Sequence, residues 1–280
     1  MDMLNVKEIL EKYGALPKKS LGQNFLVNPA VAEKTARLSL CGSSGGVIEI
    51  GPGLGALTLE LCKIYRKVAA VEIDRAFEPR LRGLGLDNLS LVFADFLKLS
   101  LRELIEREFA GSPVNICANL PYYITTPVIL KIIREPAGLN AVTVMLQKEA
   151  ADKLRAAPGS ANYCETSALV SYFGEAKKLF DVPRSNFYPQ PKVLSSVVQI
   201  IPRRVCAPEN EPLLFKIIGA AFAQRRKTLV NAIASQLNLD KRETAKIVQK
   251  ITGDENIRGE SVSIQKFSEI SDLINLILGG

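Results

Sequence analysis

The 280-residue chain contains no histidine and no tryptophan. Lack of histidine excludes Ser-His-Asp and Cys-His nucleophilic systems, an imidazole general base and His-ligated zinc or haem. Any catalysis must run on carboxylates, amides, backbone groups, Tyr, Lys or a bound cofactor. Cysteine is sparse as well. The five residues, at positions 41, 62, 117, 164 and 206, form neither a CxxC pair nor a zinc-knuckle spacing, which reads as reduced, mostly buried thiols in a cytosolic protein. The opening Met-Asp-Met-Leu-Asn-Val-Lys-Glu carries acid early and has no apolar h-region, so no signal peptide is expected. Long hydrophobic runs are missing too. Residues 109–130 are uncharged, but Pro113, Pro121 and Pro127 with Asn115 and Asn119 interrupt them, as expected of buried structure with a loop rather than a membrane span.

What is present is ample core material and a modest basic excess. Hydrophobic residues make up 47% of the chain, and 36 Lys plus Arg face 29 Asp plus Glu, for a net charge of +7. That composition predicts a folded protein of one large domain, or one domain with a smaller partner, and permits a polyanionic ligand without identifying it. Short apolar runs at Gly46 to Ile50, Val68 to Ile73, Leu89 to Phe93, Val114 to Ala118 and Ala141 to Leu146 alternate with helix-length segments. These are Leu54 to Tyr65, Arg75 to Leu84, Leu101 to Phe109 and Thr126 to Arg134. The βαβα rhythm predicts an α/β fold with a parallel sheet covered on both faces. Asn28-Pro29 reads as an N-cap and first helical position of a helix reaching about Leu40. After Phe180 a proline-punctuated loop precedes a strand-like Ser195 to Ile201, and Pro202 and Pro208 bracket a linker. Beyond it, apolar residues recur at helical spacing. The expected organisation is therefore a domain over 1–202 and a small helical domain over 203–280.

The glycine-rich turn Glu49-Ile50-Gly51-Pro52-Gly53-Leu54-Gly55 stands where the first strand should become the first helix, so the backbone can approach a ligand without a Cβ between them. Its GxGxG spacing differs from the GxGxxG of dinucleotide enzymes, and Pro52 removes an amide that a pyrophosphate would want. A ligand without phosphate fits better. Glu72 ends the second strand, where an acid accepts hydrogen bonds from ribose hydroxyls, and Asp95 follows the third, where it can accept from an adenine amino group. Each acid alone reads as a solvated or capping carboxylate; together with the turn they favour an adenosine-binding crevice. Asn119-Leu120-Pro121-Tyr122 follows the fourth strand. It reads either as a proline turn with a core tyrosine or as a base-gripping site, in which Asn119 and a main-chain carbonyl accept hydrogens from an exocyclic amine while Tyr122 stacks on the base.

These residues resemble the S-adenosylmethionine-dependent ribosomal RNA adenine dimethyltransferases, most closely the bacterial small-subunit branch. The resemblance rests on Leu21-Gly22-Gln23-Asn24-Phe25-Leu26, Glu49-Ile50-Gly51-Pro52-Gly53, Val71-Glu72-Ile73-Asp74, Asn119-Leu120-Pro121-Tyr122, Phe187-Tyr188-Pro189-Gln190-Pro191-Lys192-Val193 and Gln224-Arg225-Arg226-Lys227. It implies a Rossmann-like methyltransferase sheet with helices on both faces plus a small C-terminal all-helical domain. It also implies dimethylation of two adjacent adenosines near the 3′ end of 16S rRNA. Asn24, Leu26, Gly51, Gly53, Glu72, Asp95 and Asn119 would hold S-adenosylmethionine, leaving S-adenosylhomocysteine as product, with no metal. Asn119, Leu120, Pro121, Tyr122 and Phe187 would hold the target adenine, with packing of the proline-rich loop as the ordinary alternative for Phe187. Arg225, Arg226 and Lys227, expected to begin a helical segment, would contact RNA; Lys18-Lys19 and Arg203-Arg204 are further basic clusters that, like them, also read as solvated faces.

The implied partner is 16S rRNA within the small subunit or its precursor. The implied protein is a cytoplasmic monomer with no membrane partner and an additional role in subunit assembly. A 23S rRNA methyltransferase conferring antibiotic resistance, a DNA adenine methyltransferase and a mainly non-catalytic assembly factor are the competing readings.

Overall fold

A computed structural model describes residues 5–13, 22–42, 45–135 and 137–279. Lys18, Lys19 and Leu21 lie outside the described residues. Twelve helices and nine strands follow in chain order: α1 Val6–Lys12, β1 Phe25–Leu26, α2 Pro29–Ser39, β2 Gly46–Ile50, α3 Ala56–Ile64, β3 Lys67–Glu72, α4 Glu78–Arg82, β4 Leu89–Phe93, α5 Leu101–Phe109, β5 Val114–Asn119, α6 Thr125–Arg134, β6 Leu139–Gln147, α7 Lys148–Leu154, α8 Glu165–Phe173, β7 Gly174–Val182, β8 Phe187–Tyr188, β9 Ser195–Pro202, α9 Glu211–Ala223, α10 Leu229–Leu237, α11 Lys241–Thr252 and α12 Ile264–Leu278. Among the described residues no helix is long and apolar enough to cross a membrane.

The chain divides into two compact units: residues 1–151 with 176–202, and 152–175 with 203–280. Residues 152–175, within the 1–202 expected as the first domain, cluster with the C-terminal helices.

The first unit is built on a seven-stranded sheet in the order β4-β3-β2-β5-β6-β9-β7. Strands β4, β3, β2, β5 and β6 are parallel, while β9 runs antiparallel to β6, with Gln147 opposite Ser195. The five strands of the βαβα rhythm are thus parallel as expected, and β9, added antiparallel at one side, makes the whole sheet mixed. Strand β2 lies between β3 and β5 and every residue in it is buried, the near-continuous apolar pattern of a strand covered on both faces. Helix α2 starts as its sequence dictates, the Asn28 side chain accepting from the Ala30 amide with Pro29 at the first turn, which satisfies an otherwise orphaned donor. A cluster of Ala36, Val47, Leu57, Leu61, Tyr65, Val68 and Cys117 joins α2 and α3 to the sheet. Helix α1 packs Val6 and Leu10 against Phe25, Leu54, Phe77 and Leu81, so it supports the loops beyond the carboxyl ends of β2 and β3.

In the second unit, Tyr163 meets Phe222 edge to face at 5.5 Å between ring centroids, and its hydroxyl donates to the Val262 carbonyl at 3.0 Å. Four of its helices carry side-chain N-caps, Asn210, Thr228, Asp240 and Ser263. Such caps are each worth about 1 kcal/mol and mark the helix starts sharply.

Candidate active site

A cavity of about 210 Å³ opens beyond the carboxyl ends of β2, β3, β4 and β5. This is the crevice where open α/β sheets bind ligands, because loops there diverge from the sheet and leave backbone amides and side chains pointing outward. Asn24, Leu26, Gly51, Gly53, Glu72, Asp95, Asn119, Leu120, Pro121 and Tyr122 all line it. Five separated stretches of sequence thus converge on one space.

The β2–α3 turn forms one wall. Gly51 has φ +70° with nothing within 4 Å of where a Cβ would stand, so the conformation favours glycine and the space beside it is open to the cavity. Gly55 also has positive φ, and a Cβ there would stand 2.8 Å from Leu84.

At the end of β3, Glu72 is 5% exposed; its Oε2 accepts from the Gly53 amide at 3.0 Å and its Oε1 from the Asp74 amide at 2.8 Å. Burial holds its pKa above the usual carboxylate range, and the two amides oppose that shift by favouring the anion. Asp95 accepts from the Leu97 amide through Oδ1 at 3.0 Å, while Lys98 stands 3.9 Å from its Oδ2.

Asn119 closes β5. Its Nδ2 donates to the Asn24 carbonyl at 3.0 Å, which uses the amide's donor end and orients Oδ1 as an acceptor. The Leu120 amide donates to the Met145 carbonyl, and the Pro121 carbonyl accepts from the Ile124 amide and the Thr125 hydroxyl; the Leu120 carbonyl takes part in neither contact. Tyr122 is half-buried, with its hydroxyl 3.1 Å from Ser195 Oγ at the start of β9. Burial raises the phenol pKa and the Ser195 contact partly offsets it. The tyrosine is a neutral, oriented ring.

Three expectations meet a different geometry. Phe187 does not line the cavity: it is 4% exposed in β8, opposite Leu26, packed with Ala32, Met145, Val182 and Val197. Arg225, Arg226 and Lys227 do not begin a helix but form the turn between α9 and α10, because Thr228 is the cap that starts α10. Within that turn all three are exposed, and Arg225 also donates to the Tyr163 carbonyl at 3.1 Å and stands 3.7 Å from Glu260. The second cluster is also partly engaged, since Arg204 pairs with Glu211 at 3.1 Å.

Sequence reasoning assigned no role to Glu49, Ile73, Tyr123 or Ser195. The first three line the cavity, Ile73 and Tyr123 each about half exposed. A large apolar residue directly after the strand-ending acid was the available signal for Ile73. Glu49 is 1% exposed, and burial, reinforced by Glu72 and opposed by Thr58, pushes its carboxyl up to about 8. Among the described residues there is no group of His, Cys, Asp and Glu able to hold a metal ion.

Comparison with known proteins agrees with this geometry. The family model described as ribosomal RNA adenine dimethylase matches residues 15–275. The chain is 40% identical over 273 residues to a ribosomal RNA small subunit methyltransferase A of Clostridioides difficile, covering 96% of this chain and 94% of that one. It is 42% identical over 283 residues to the same-named protein of Bacillus pumilus, covering 98% and 97%. Among solved structures, a dimethyladenosine transferase from Plasmodium falciparum superposes with a TM-score of 0.72 at 25% identity, covering 90% of this chain and 98% of that one. The 23S rRNA methyltransferase ErmE gives 0.66 at 20% identity, covering 90% and 99%, a likeness of fold.

Proposed function

The chain belongs to the ribosomal RNA adenine dimethylase family, and on that premise we propose that it dimethylates the exocyclic amines of two adjacent adenosines near the 3′ end of 16S rRNA. The substrate is the small subunit or its precursor, and the protein acts as a cytoplasmic monomer that also serves subunit assembly. The small-subunit branch is favoured over the 23S enzymes because the relatives that cover nearly the whole chain at 40% identity carry the small-subunit name, whereas the likeness to ErmE is at 20% identity.

The cavity fits S-adenosylmethionine. Glu72 and Asp95 line it from the ends of successive strands, where they would meet a ribose and an adenine, Gly51 leaves room for a close backbone approach, and the acids on its walls suit a ligand of net positive charge. Asn24, Leu26, Gly51, Gly53, Glu72, Asp95 and Asn119 would hold it. When bound, the cofactor supplies an electrophilic methyl on a sulfonium.

The observation that carries the mechanism is the Asn119–Asn24 hydrogen bond. With Nδ2 committed, Asn119 Oδ1 accepts one hydrogen of the target amine, and the Leu120 carbonyl accepts the other. Two acceptors on the N–H bonds favour a pyramidal nitrogen, freeing a lone pair otherwise delocalised into the ring. As positive charge develops on that nitrogen, the same carbonyl dipoles and the face of Tyr122 stabilise it, already oriented by Asn24 and Ser195. The resulting ammonium is acidic enough to lose its proton to water, so no imidazole is needed. Pro121 turns the chain so that Leu120 and Tyr122 face one space. A pocket of this kind needs an unstacked base, hence a loop or single strand. For Phe187 to touch that base its ring must leave the cluster under β1; in the present state it packs the proline-rich loop. All three cations of the α9–α10 turn are exposed; Arg226 and Lys227 are suited to phosphate contact, with Arg225 holding the turn.

Incubation with labelled S-adenosylmethionine and undermethylated small subunits, large subunits or naked RNA tests this reading. Label mapped to two adjacent adenosines of the small subunit supports it, and label on large subunits alone refutes it.

A further inference from the structure

The cavity contains a charged-type group that the mechanism above does not use. Glu49 stands near the carboxyl end of the interior strand β2, lines the cavity and is 1% exposed, yet its Oε2 has no hydrogen-bond partner. A buried polar atom left unpaired is unfavourable whether or not it carries charge, so its retention calls for a physical reason. The groups facing it are few. Helix α3 presents Thr58, whose hydroxyl is likewise without a partner of proper geometry, and Cys62; β5 presents Cys117; β3 presents Glu72. Among the described residues no lysine or arginine is paired with Glu49. Among the described residues the wall therefore holds two buried acids and no cation. Glu72 has two amides that favour its anion; Glu49 has none. Of the pair, Glu49 is the one that stays protonated at neutral pH.

We propose that Glu49 is a proton-exchange site for a cationic ligand: its carboxyl is neutral in the free protein and releases its proton to solvent when a ligand of net positive charge enters the cavity. The inference rests on reading the cavity as the S-adenosylmethionine site and says how that site admits charge. The O–H bond of Glu49 breaks, the electron pair stays on the carboxylate, the proton passes to buffer, and the ligand's single net positive charge replaces it. Before binding, the neutral acid spares the site repulsion between Glu49 and Glu72. After binding, both are anionic against a cation in a low-dielectric space, where the attraction is strong. An uncharged adenosine thioether gains nothing from this exchange, so the site favours the cation over its uncharged fragments.

Isothermal titration of the whole protein with S-adenosylmethionine at about pH 6.5, in two buffers of different ionisation enthalpy, reads the proton directly. The wild type is expected to release close to one proton per site, and affinity should tighten about tenfold per pH unit between about pH 5.5 and 7, a range in which the ligand's own amine stays protonated. Glu49→Gln should release none and show a flat profile, and 5′-methylthioadenosine should release none from the wild type. Equal release from wild type and Glu49→Gln, or a flat wild-type profile, overturns the proposal. Binding without proton release is distinct from no binding of S-adenosylmethionine at all, which overturns the cofactor reading as well. A thermal melt and the affinity for 5′-methylthioadenosine report whether Glu49→Gln is folded, and the two-buffer comparison on the wild type decides the matter without the variant.

Discussion

Replacing Asn119 removes two things at once: the acceptor proposed for the target amine and the 3.0 Å bond from Nδ2 to the Asn24 carbonyl. The bond is a part-buried neutral hydrogen bond, worth about 1 kcal/mol of stability, so the fold should survive with a small drop in melting temperature. The acceptor matters more to the reaction. Removing one preorganised group aimed at developing charge typically lowers turnover about 100- to 1,000-fold, or roughly 3 to 4 kcal/mol in the barrier. Asn119→Ala is therefore expected to fall by at least that much in single-turnover methylation at saturating cofactor and small subunit. Saturation matters because Asn119 also stands on the cofactor side, and a weaker Kd alone should not pass for a slower step. Asn119→Asp sharpens the test. It keeps oxygen acceptors but replaces the donor facing Asn24 with an oxygen, so two oxygens meet where one hydrogen bond was, and orientation is lost. The aspartate variant should also be strongly impaired. Turnover of Asn119→Ala within tenfold of wild type would refute the acceptor role, and full activity of Asn119→Asp would refute the orienting role of Asn24.

Other consequences are equally direct. Tyr122→Phe and Ser195→Ala each break the same 3.1 Å contact, so each should lower kcat/KM by about 2- to 12-fold, and the double variant should be no worse than the poorer single one; additive losses would show that Ser195 does not act through the tyrosine. Glu49 has a folded pKa raised from 4.5 to about 8. Its contribution to stability is therefore complete below about pH 4.5 and is lost as pH rises toward 8, at about 1.4 kcal/mol per unit. Relative to wild type, ligand-free Glu49→Gln should gain roughly 3 kcal/mol between pH 5 and 7 in denaturant titrations; a pH-independent difference would contradict the burial argument. Neutralising Arg226 and Lys227 should reduce the salt slope of small-subunit binding by about 1 per charge without moving the melting temperature, whereas Arg225→Ala, losing its tie to the Tyr163 carbonyl, should lower it. Phe187→Ala should destabilise by about 3 to 5 kcal/mol in denaturant titrations, and a change below 1 kcal/mol would contradict its packing in the core.

The βαβ rhythm was legible because β2 to β6 are apolar runs bounded by turn residues, and the capping of α2 was written in Asn28-Pro29. The strand Gly174–Val182 was not legible in the same way. Its Gly-Glu-Ala-Lys-Lys-Leu-Phe-Asp-Val is a charged edge strand with only its first and last residues buried, and such strands show little apolar periodicity. The cavity residues were legible as strand-end acids and a glycine turn, since position at a strand's carboxyl end is a one-dimensional property. The inward packing of Phe187 was not, because it depends on the pairing of β8 with β1 across 161 residues, Leu26 opposite Phe187. Nor was the isolation of Glu49. Gly-Val-Ile-Glu-Ile carries an acid whichever way that side chain points, and only the packed α3 and β5 remove its partners.

The proposed reaction brings a sulfonium methyl to the amine of a small-subunit adenosine within one cavity. Its most direct measurement is the mapping of labelled methyl groups on undermethylated small subunits after a single incubation with the purified protein. Dimethyl label is expected on two adjacent adenosines near the 3′ end of the 16S rRNA, strongly reduced by Asn119→Ala. Label confined to the large subunit, or undiminished label in that variant, would contradict it.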